Sequence, residues 1–183
     1  MPTRHTQDDP FRAFVEVIVS ADSEAAVRLL KASPNLAIER AAGGATRQAP
    51  KENFFDRIKH YISEGDTALH VAAAAKQASM VKELIARGAD VRAKNRRGAE
   101  PLHYAVDGGP ASPVWNPDEQ TAIIAELIRA GADPNALDKS GVAPLHRAVR
   151  NRCAAAVRSL IEAGADPRAP NRNGSTPMSF SRL

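Results

Sequence analysis

The apolar positions of the chain fall into a pattern that returns. Between 66 and 98 they predict two short helices, with Leu69, Ala72 and Ala73 on one face of the first and Val81, Leu84 and Ile85 on one face of the second. Leu102, Ala105 and Val106, then Ile124, Leu127 and Ile128, repeat this in 99–141; Leu145, Ala148 and Val149, then Val157, Leu160 and Ile161, repeat it in 142–174. Each first helix opens on a related string: Thr67-Ala68-Leu69-His70, Glu100-Pro101-Leu102-His103, Ala143-Pro144-Leu145-His146, and a fourth, Thr176-Pro177-Met178-Ser179. Each second helix closes on Gly-Ala-Asp, at Gly88, Gly131 and Gly164, where glycine reaches positive φ cheaply as the C′ residue. The openings lie 33, 43 and 33 residues apart, and the Gly-Ala-Asp elements 43 and 33. Self-similarity at such a period predicts stacked two-helix units that bury their apolar faces on one another.

The flanks depart from this rhythm. Residues 1–10 are polar and read as a disordered lead. Phe11–Ser20 predicts a helix with Phe14, Val17 and Ile18 on one face; Asp22 or Ser23 caps a second carrying Ala26, Val27, Leu29 and Leu30, which Pro34 stops. Residues 11–38 thus form a degenerate first unit. Such a unit predicts the next opening near position 45, but it comes at Thr67, so about 22 residues are inserted at 39–63. Arg40–Pro50 reads as a loop. Lys51–Ser63 reads as a short amphipathic helix, with Phe54, Phe55, Ile58, Tyr61 and Ile62 in one stripe, Tyr61 packed and His60 toward solvent. The 99–141 unit carries a loop insertion at 108–118 that includes Trp115, followed by a helix start with Asn116 as N-cap, Pro117 at N1 and Glu119 at N3. The last unit, 175–183, is partial and predicts one short helix, leaving the face of Val157, Leu160 and Ile161 half covered.

This order of elements resembles the ankyrin repeat, closely over 66–183 and more distantly over 12–38. Ala68 stands where the family's motif has proline, Glu100 and Ala143 replace its threonine, and Lys76 and Arg152 replace a glycine between helices. The resemblance implies an all-α solenoid of stacked helix-turn-helix units with protruding β-turn fingers. It also implies that His70, His103 and His146 bond backbone across each helix start and staple neighbouring units.

Composition narrows the function. At 183 residues the chain can bury one substantial core. Residues 1–65 hold nine basic and nine acidic side chains, so the net +4 lies wholly in 66–183. The single cysteine, Cys153, makes no disulfide framework and suits a reducing, cytoplasmic setting. No apolar h-region precedes the first unit, and no apolar run reaches the ~18 residues of a membrane span.

Catalytic and metal chemistry finds no support. One histidine per unit, on helices about 8–10 Å apart, cannot bring several ligands within about 2.1 Å of one zinc ion. Cys153 and His146 have no third orienting group, and Gly43-Gly44 lacks the strand and lysine of a phosphate loop. No cofactor, catalytic group or metal is expected.

The resemblance points to a non-enzymatic protein-binding module that uses its concave surface. The expected contacts are Val71, Ala74, Tyr104, Asp107, Arg147 and Arg150 on first helices, Arg92, Lys94, Arg96, Arg97 and Lys139 on fingers, and Trp115 on its loop. The basic alignment predicts an acidic or phosphate-bearing partner, with another protein carrying an acidic surface as the expected one. The absence of aromatics on that edge argues against nucleic acid. The uncovered C-terminal edge predicts self-association. The alternative is a small-ligand or enzymatic site beneath 51–63, built from His60, Tyr61, Tyr104 and Trp115.

Overall fold

The structure is a computed structural model that describes residues 9–45, 51–110, 112 and 114–180. Most of the 1–10 lead lies outside the described residues. The helices are α1 (Pro10–Ser20), α2 (Ser23–Ala32), α3 (Ala68–Ala74), α4 (Ala78–Ala86), α5 (Pro101–Ala105), α6 (Pro117–Arg129), α7 (Pro144–Arg150), α8 (Ala154–Glu162) and α9 (Pro177–Phe180). Their starts follow local chemistry. Asp9 accepts from the Phe11 N–H at 3.0 Å, Asp22 from Ala25 at 2.9 Å, and Asn116 from Asp118 and Glu119 at 3.0 and 3.1 Å.

First helices α1, α3, α5, α7 and α9 pack in series, and α4, α6 and α8 form a second row behind them. A turn at Pro34–Ala37 lies between α2 and α3. Leu69, Leu102 and Leu145 occupy equivalent places in the first row and are buried, as are Leu84, Leu127 and Leu160 in the second. Each such leucine contributes about 1.5–3 kcal/mol. Ile85 and Ile128 are half-buried, and Ile161 is exposed, as is Met178 on α9.

From the 66–98 unit onward, one imidazole joins each unit to the next. His70 Nδ1 accepts the Thr67 N–H at 3.1 Å, and its Nε2 lies 3.1 Å from the carbonyl of Ala99 in the next unit. His103 accepts from Glu100 at 3.1 Å and reaches Val142 O at 3.0 Å; His146 accepts from Ala143 at 3.2 Å and reaches Ser175 O at 3.1 Å. Because Nδ1 accepts, Nε2 carries the proton and donates.

The fingers are closed by a second recurrent device. Asn95 Oδ1 accepts from Arg97 and Ala99 at 2.9 and 3.0 Å, Asp138 Oδ1 from Ser140 and Val142 at 2.8 and 3.0 Å, and Asn171 Oδ1 from Asn173 and Ser175 at 2.9 and 3.1 Å. Successive fingers touch through backbone bonds, Arg96 N to Glu64 O at 2.8 Å, Lys139 N to Arg97 O at 2.9 Å and Arg172 N to Ser140 O at 3.2 Å. A Cβ at Gly98 would meet Lys139 N at 3.0 Å, and one at Gly141 would meet Arg172 N at 2.9 Å, so finger contact needs glycine there as well as its positive φ.

The insert differs from the sequence reading. Lys51–Ser63 is not an amphipathic helix. It is a single helical turn at Lys51–Asn53 followed by a hairpin of β1 (Phe54–Phe55) and β2 (His60–Tyr61), paired Phe54 with Tyr61 and Phe55 with His60. Lys59 has φ 49°, which ends any helix and closes the turn. Below the hairpin, 40–45 runs antiparallel to 62–67 through Ala41 N to Asp66 O at 2.7 Å, Gly65 N to Ala41 O at 2.9 Å and Ala45 N to Ile62 O at 2.8 Å. The insert is therefore an enlarged finger. Its faces also exchange roles: Tyr61 is exposed and pairs with Phe54 at 4.6 Å, while His60 turns inward. Ile58 and Ile62 are buried, and Phe55 packs half-buried on the core.

Burial holds the His103 imidazole at about 4, below the ordinary 6.5. The unfolded chain binds a proton between these values that the native state does not, so stability present above pH 6.5 is lost as pH falls toward 4. The His103 share is roughly 3 kcal/mol. His103→Ala is expected to lower stability at pH 7 by about 2 kcal/mol, since it strands the Glu100 N–H and Val142 carbonyl. It should also flatten the fall between pH 6.5 and 4. Urea unfolding of both proteins at pH 7, 5.5 and 4.5 checks this; parallel pH curves would refute it.

Candidate binding cleft

The enlarged finger, the next two fingers and the first-helix row enclose a half-open polar cleft of about 380 Å³. The hairpin contributes Lys59, His60 and Tyr61. The fingers contribute Arg97, Asp138 and Ser140, and α5 and α7, with the residues that follow α5, contribute Tyr104, Asp107, Arg147 and Arg150.

Beneath the cleft lies a buried polar network. Asp66, fully buried, accepts from the Tyr104 hydroxyl at 2.9 Å, the Ser63 N–H at 2.6 Å and the Asn95 amide at 2.8 Å. Asn95 also donates to the Tyr104 oxygen at 3.0 Å. Burial, with Asp66 alongside, pushes the Tyr104 phenol well up, so it stays a neutral donor. The network clamps the enlarged finger to the first true finger and to α5.

Arg147 forms the floor. Its guanidinium bridges Asp107 at 2.8 Å and Asp138 at 3.1 Å. Burial lowers its proton affinity, but Asp107 and Asp138 outweigh that and raise it. Burial pushes the Asp138 carboxyl up, yet the N–H groups of Val142 and Ser140 and the Arg147 guanidinium hold it below the usual range.

Lys76 braces α5 from behind. It holds φ 57° in the slot where the family's pattern places glycine, and its buried ammonium donates to Ala73, Tyr104 and Ala105 carbonyls at 3.3, 3.2 and 2.9 Å. These caps on two helix ends offset the left-handed strain of about 1 kcal/mol. Burial lowers its pKa to about 8.

His60 lies edge-on to Tyr104, with centroids 4.4 Å apart, and separates the cleft from a recess of about 80 Å³ over Ala74. Burial lowers its proton affinity, opposed by Asp107 and Asp66.

The structure sorts the expected contact residues. Val71 and Ala74 are corrected: Val71 is fully buried between α1 and α5, and Ala74 sits under Ile58 and His60 of the hairpin. Tyr104, Asp107, Arg97, Arg147 and Arg150 meet at the cleft. Arg92 lies 3.8 Å from Asp133 and Lys94 lies 3.7 Å from the buried Glu100, whose oxygens have no hydrogen bond among the described residues. Arg96 donates to Ala45 O at 3.1 Å. Arg96, Arg97, Lys139 and Arg150 make no ion pair among the described residues. Of the alternative set, His60, Tyr61 and Tyr104 share the cleft, while Trp115 lies outside it with its indole nitrogen buried.

Sequence reasoning missed Asp66, Asn95 and Asp138. Their signal was available for the fingers, since Asn95, Asp138 and Asn171 recur at 43 and 33 residues. The Cys153 thiol donates to Gly108 O at 3.1 Å, and burial raises its pKa, which disfavours a nucleophilic thiolate. Among the described residues no group of three or more His, Cys, Asp or Glu could hold a metal ion, and no helix is long and apolar enough to cross a membrane.

Three family models match the chain: ankyrin repeats (3 copies) over 17–112, ankyrin repeat over 97–139, and ankyrin repeats (many copies) over 127–180. No curated protein matches it.

Lys76→Met is expected to lower stability at pH 7 by about 2 kcal/mol, because three carbonyls lose their donor. The wild type should also gain stability between pH 8 and 10.5, where the unfolded lysine holds a proton that the native one has released. The variant should lack that gain. Thermal unfolding at pH 7.5 and 10 measures both; an equal pH response in the two proteins would contradict the assignment.

Proposed function

This chain belongs to the ankyrin-repeat family, and on that footing we propose that it is a non-enzymatic module whose finger and first-helix face binds an acidic segment of another protein. Ankyrin repeats are generally protein-interaction modules. The observation that carries the acidic partner is the sorting of charges. Of the seven basic residues aligned along this face, Arg92, Lys94 and Arg147 are matched by acids of the chain itself, and Arg96, Arg97, Lys139 and Arg150 have no acid to match them among the described residues. Unmatched guanidinium groups favour carboxylate-rich surfaces through bidentate pairing. The cleft offers no aromatic stacking platform beyond Tyr61 and the buried Tyr104, which favours protein over nucleic acid. The lone, buried Cys153 suits the reducing cytoplasm. Exposed Ile161 and Met178 at the last units support a second, weaker contact between copies of the chain.

Pull-down with the full chain, at two salt concentrations, tests the main reading. A variant with Arg96, Arg97, Lys139 and Arg150 as alanine should lose about tenfold or more in capture, since each lost exposed pair contributes a few tenths to 1 kcal/mol. Its melting temperature should fall only slightly, through loss of the Arg96 hydrogen bond to Ala45. Arg92→Ala with Lys94→Ala should capture nearly as well as the wild type. Undiminished capture by the fourfold variant would sink the proposal. Sedimentation of Ile161→Glu against wild type tests the contact between copies: an unchanged profile removes it.

A further inference from the structure

We propose that the cleft under the enlarged finger is also a binding site for a small phosphomonoester, independent of any protein partner. A volume of about 380 Å³ falls within the roughly 300–1,000 Å³ of small-molecule sites. A second cavity, about 170 Å³ beside Phe11, Val15 and Phe55, is smaller and mostly apolar. The cleft wall is mainly polar.

Charge then selects the ligand. Four cations and two carboxylates line the cleft, for a net +2. The carboxylates of Asp107 and Asp138 are both held by Arg147, and Lys59 is held by Asp56 at 2.9 Å. Arg97 and Arg150 remain, two guanidinium groups facing one cavity with no acid of the chain to match them among the described residues. A single carboxylate would neutralise one of them. A phosphomonoester brings close to two charges at pH 7 and three acceptor oxygens, which suit two planar donor forks.

Neutral donors complete the site. The His60 ring nitrogens have no hydrogen-bond partner among the described residues, and the ring borders the cleft. It faces Asp107 and Asp66, Lys76 and Arg147, and packs against Tyr104. The Ser140 hydroxyl also lines the wall. The volume left beyond a phosphate, with polar walls, fits a small hydroxylated body. His60 and Lys59 belong to the 39–63 segment, so the site depends on the enlarged finger rather than on the repeat alone.

The test uses the full chain with carbon-labelled histidine, titrated by NMR and by calorimetry with glycerol 3-phosphate, inorganic phosphate and glycerol. Saturable binding is expected for the first two and none for glycerol. Arg97→Ala and Arg150→Ala should each weaken glycerol 3-phosphate about tenfold or more, as charge-assisted hydrogen bonds are lost. Arg92→Ala, paired elsewhere, should leave it unchanged. The His60 resonances should shift, and the ring should titrate at higher pH with ligand bound, because a nearby dianion favours imidazolium. Absent saturation, equal loss in Arg92→Ala, or unmoved His60 resonances would overturn the proposal. The protein-binding reading is separable: capture lost in the fourfold variant, with no phosphate binding by the wild type, would leave that reading standing and remove this one.

Discussion

Each of the three junctions from the 66–98 unit onward passes through an imidazole. His70, His103 and His146 each accept from the opening of their own helix and donate to the carbonyl that opens the next unit. One ring thus fixes the helix start and the spacing between units together. It can do so only in one tautomer and only uncharged, because a protonated ring has no acceptor. Burial supplies that condition, and helix stacking supplies the burial. Packing and hydrogen bonding are therefore coupled: leucines at the equivalent positions 69, 102 and 145 exclude the water that would otherwise compete for the same groups.

The repeated region of this design was legible in the sequence. Leucine, histidine and Gly-Ala-Asp recur at a shared period, and each marks a place where one residue type serves a local geometric need. The insert was not legible. Phe54, Phe55, Ile58, Tyr61 and Ile62 satisfy a helical spacing, but their partners are cross-strand neighbours and the distant segment 40–45, and no local window shows a pairing of that range. The misreading of Ala74 follows from it, whereas Val71 is taken up by the packing of the first-helix row. A helix face is concave and free only if nothing lies over it, and the hairpin covers α3 where a short turn would have left it open.

The cleft shows how an insertion can gain chemistry without disturbing a core. Asp66 begins the first full unit, Asn95 belongs to its finger and Tyr104 to the next helix; the three meet because the enlarged finger packs down on them. In the following unit Arg147 ties helix to finger in the same way, through Asp107 and Asp138. Basic residues that look equivalent along the edge then divide into two kinds. Some are structural ties whose charge is already matched, and others face outward unmatched. Sequence counts both alike, and only the placement of acids such as Asp107, Asp133 and Asp138 separates them.

Each finger is closed by a side chain of its own, Asn95, Asp138 or Asn171, and leans on its neighbour through backbone atoms. The tip residues between those anchors enter the closure through their backbone N–H groups and not through their side chains. Their identities can therefore drift while the anchor and the glycine stay. Heredity can act on the two properties separately: what the molecule grips is written at the tips, and whether it stands is written in the anchors. The segment 39–63 is the extreme case, a longer stretch of chain carried at a finger position in front of helices that hold the register of the repeat.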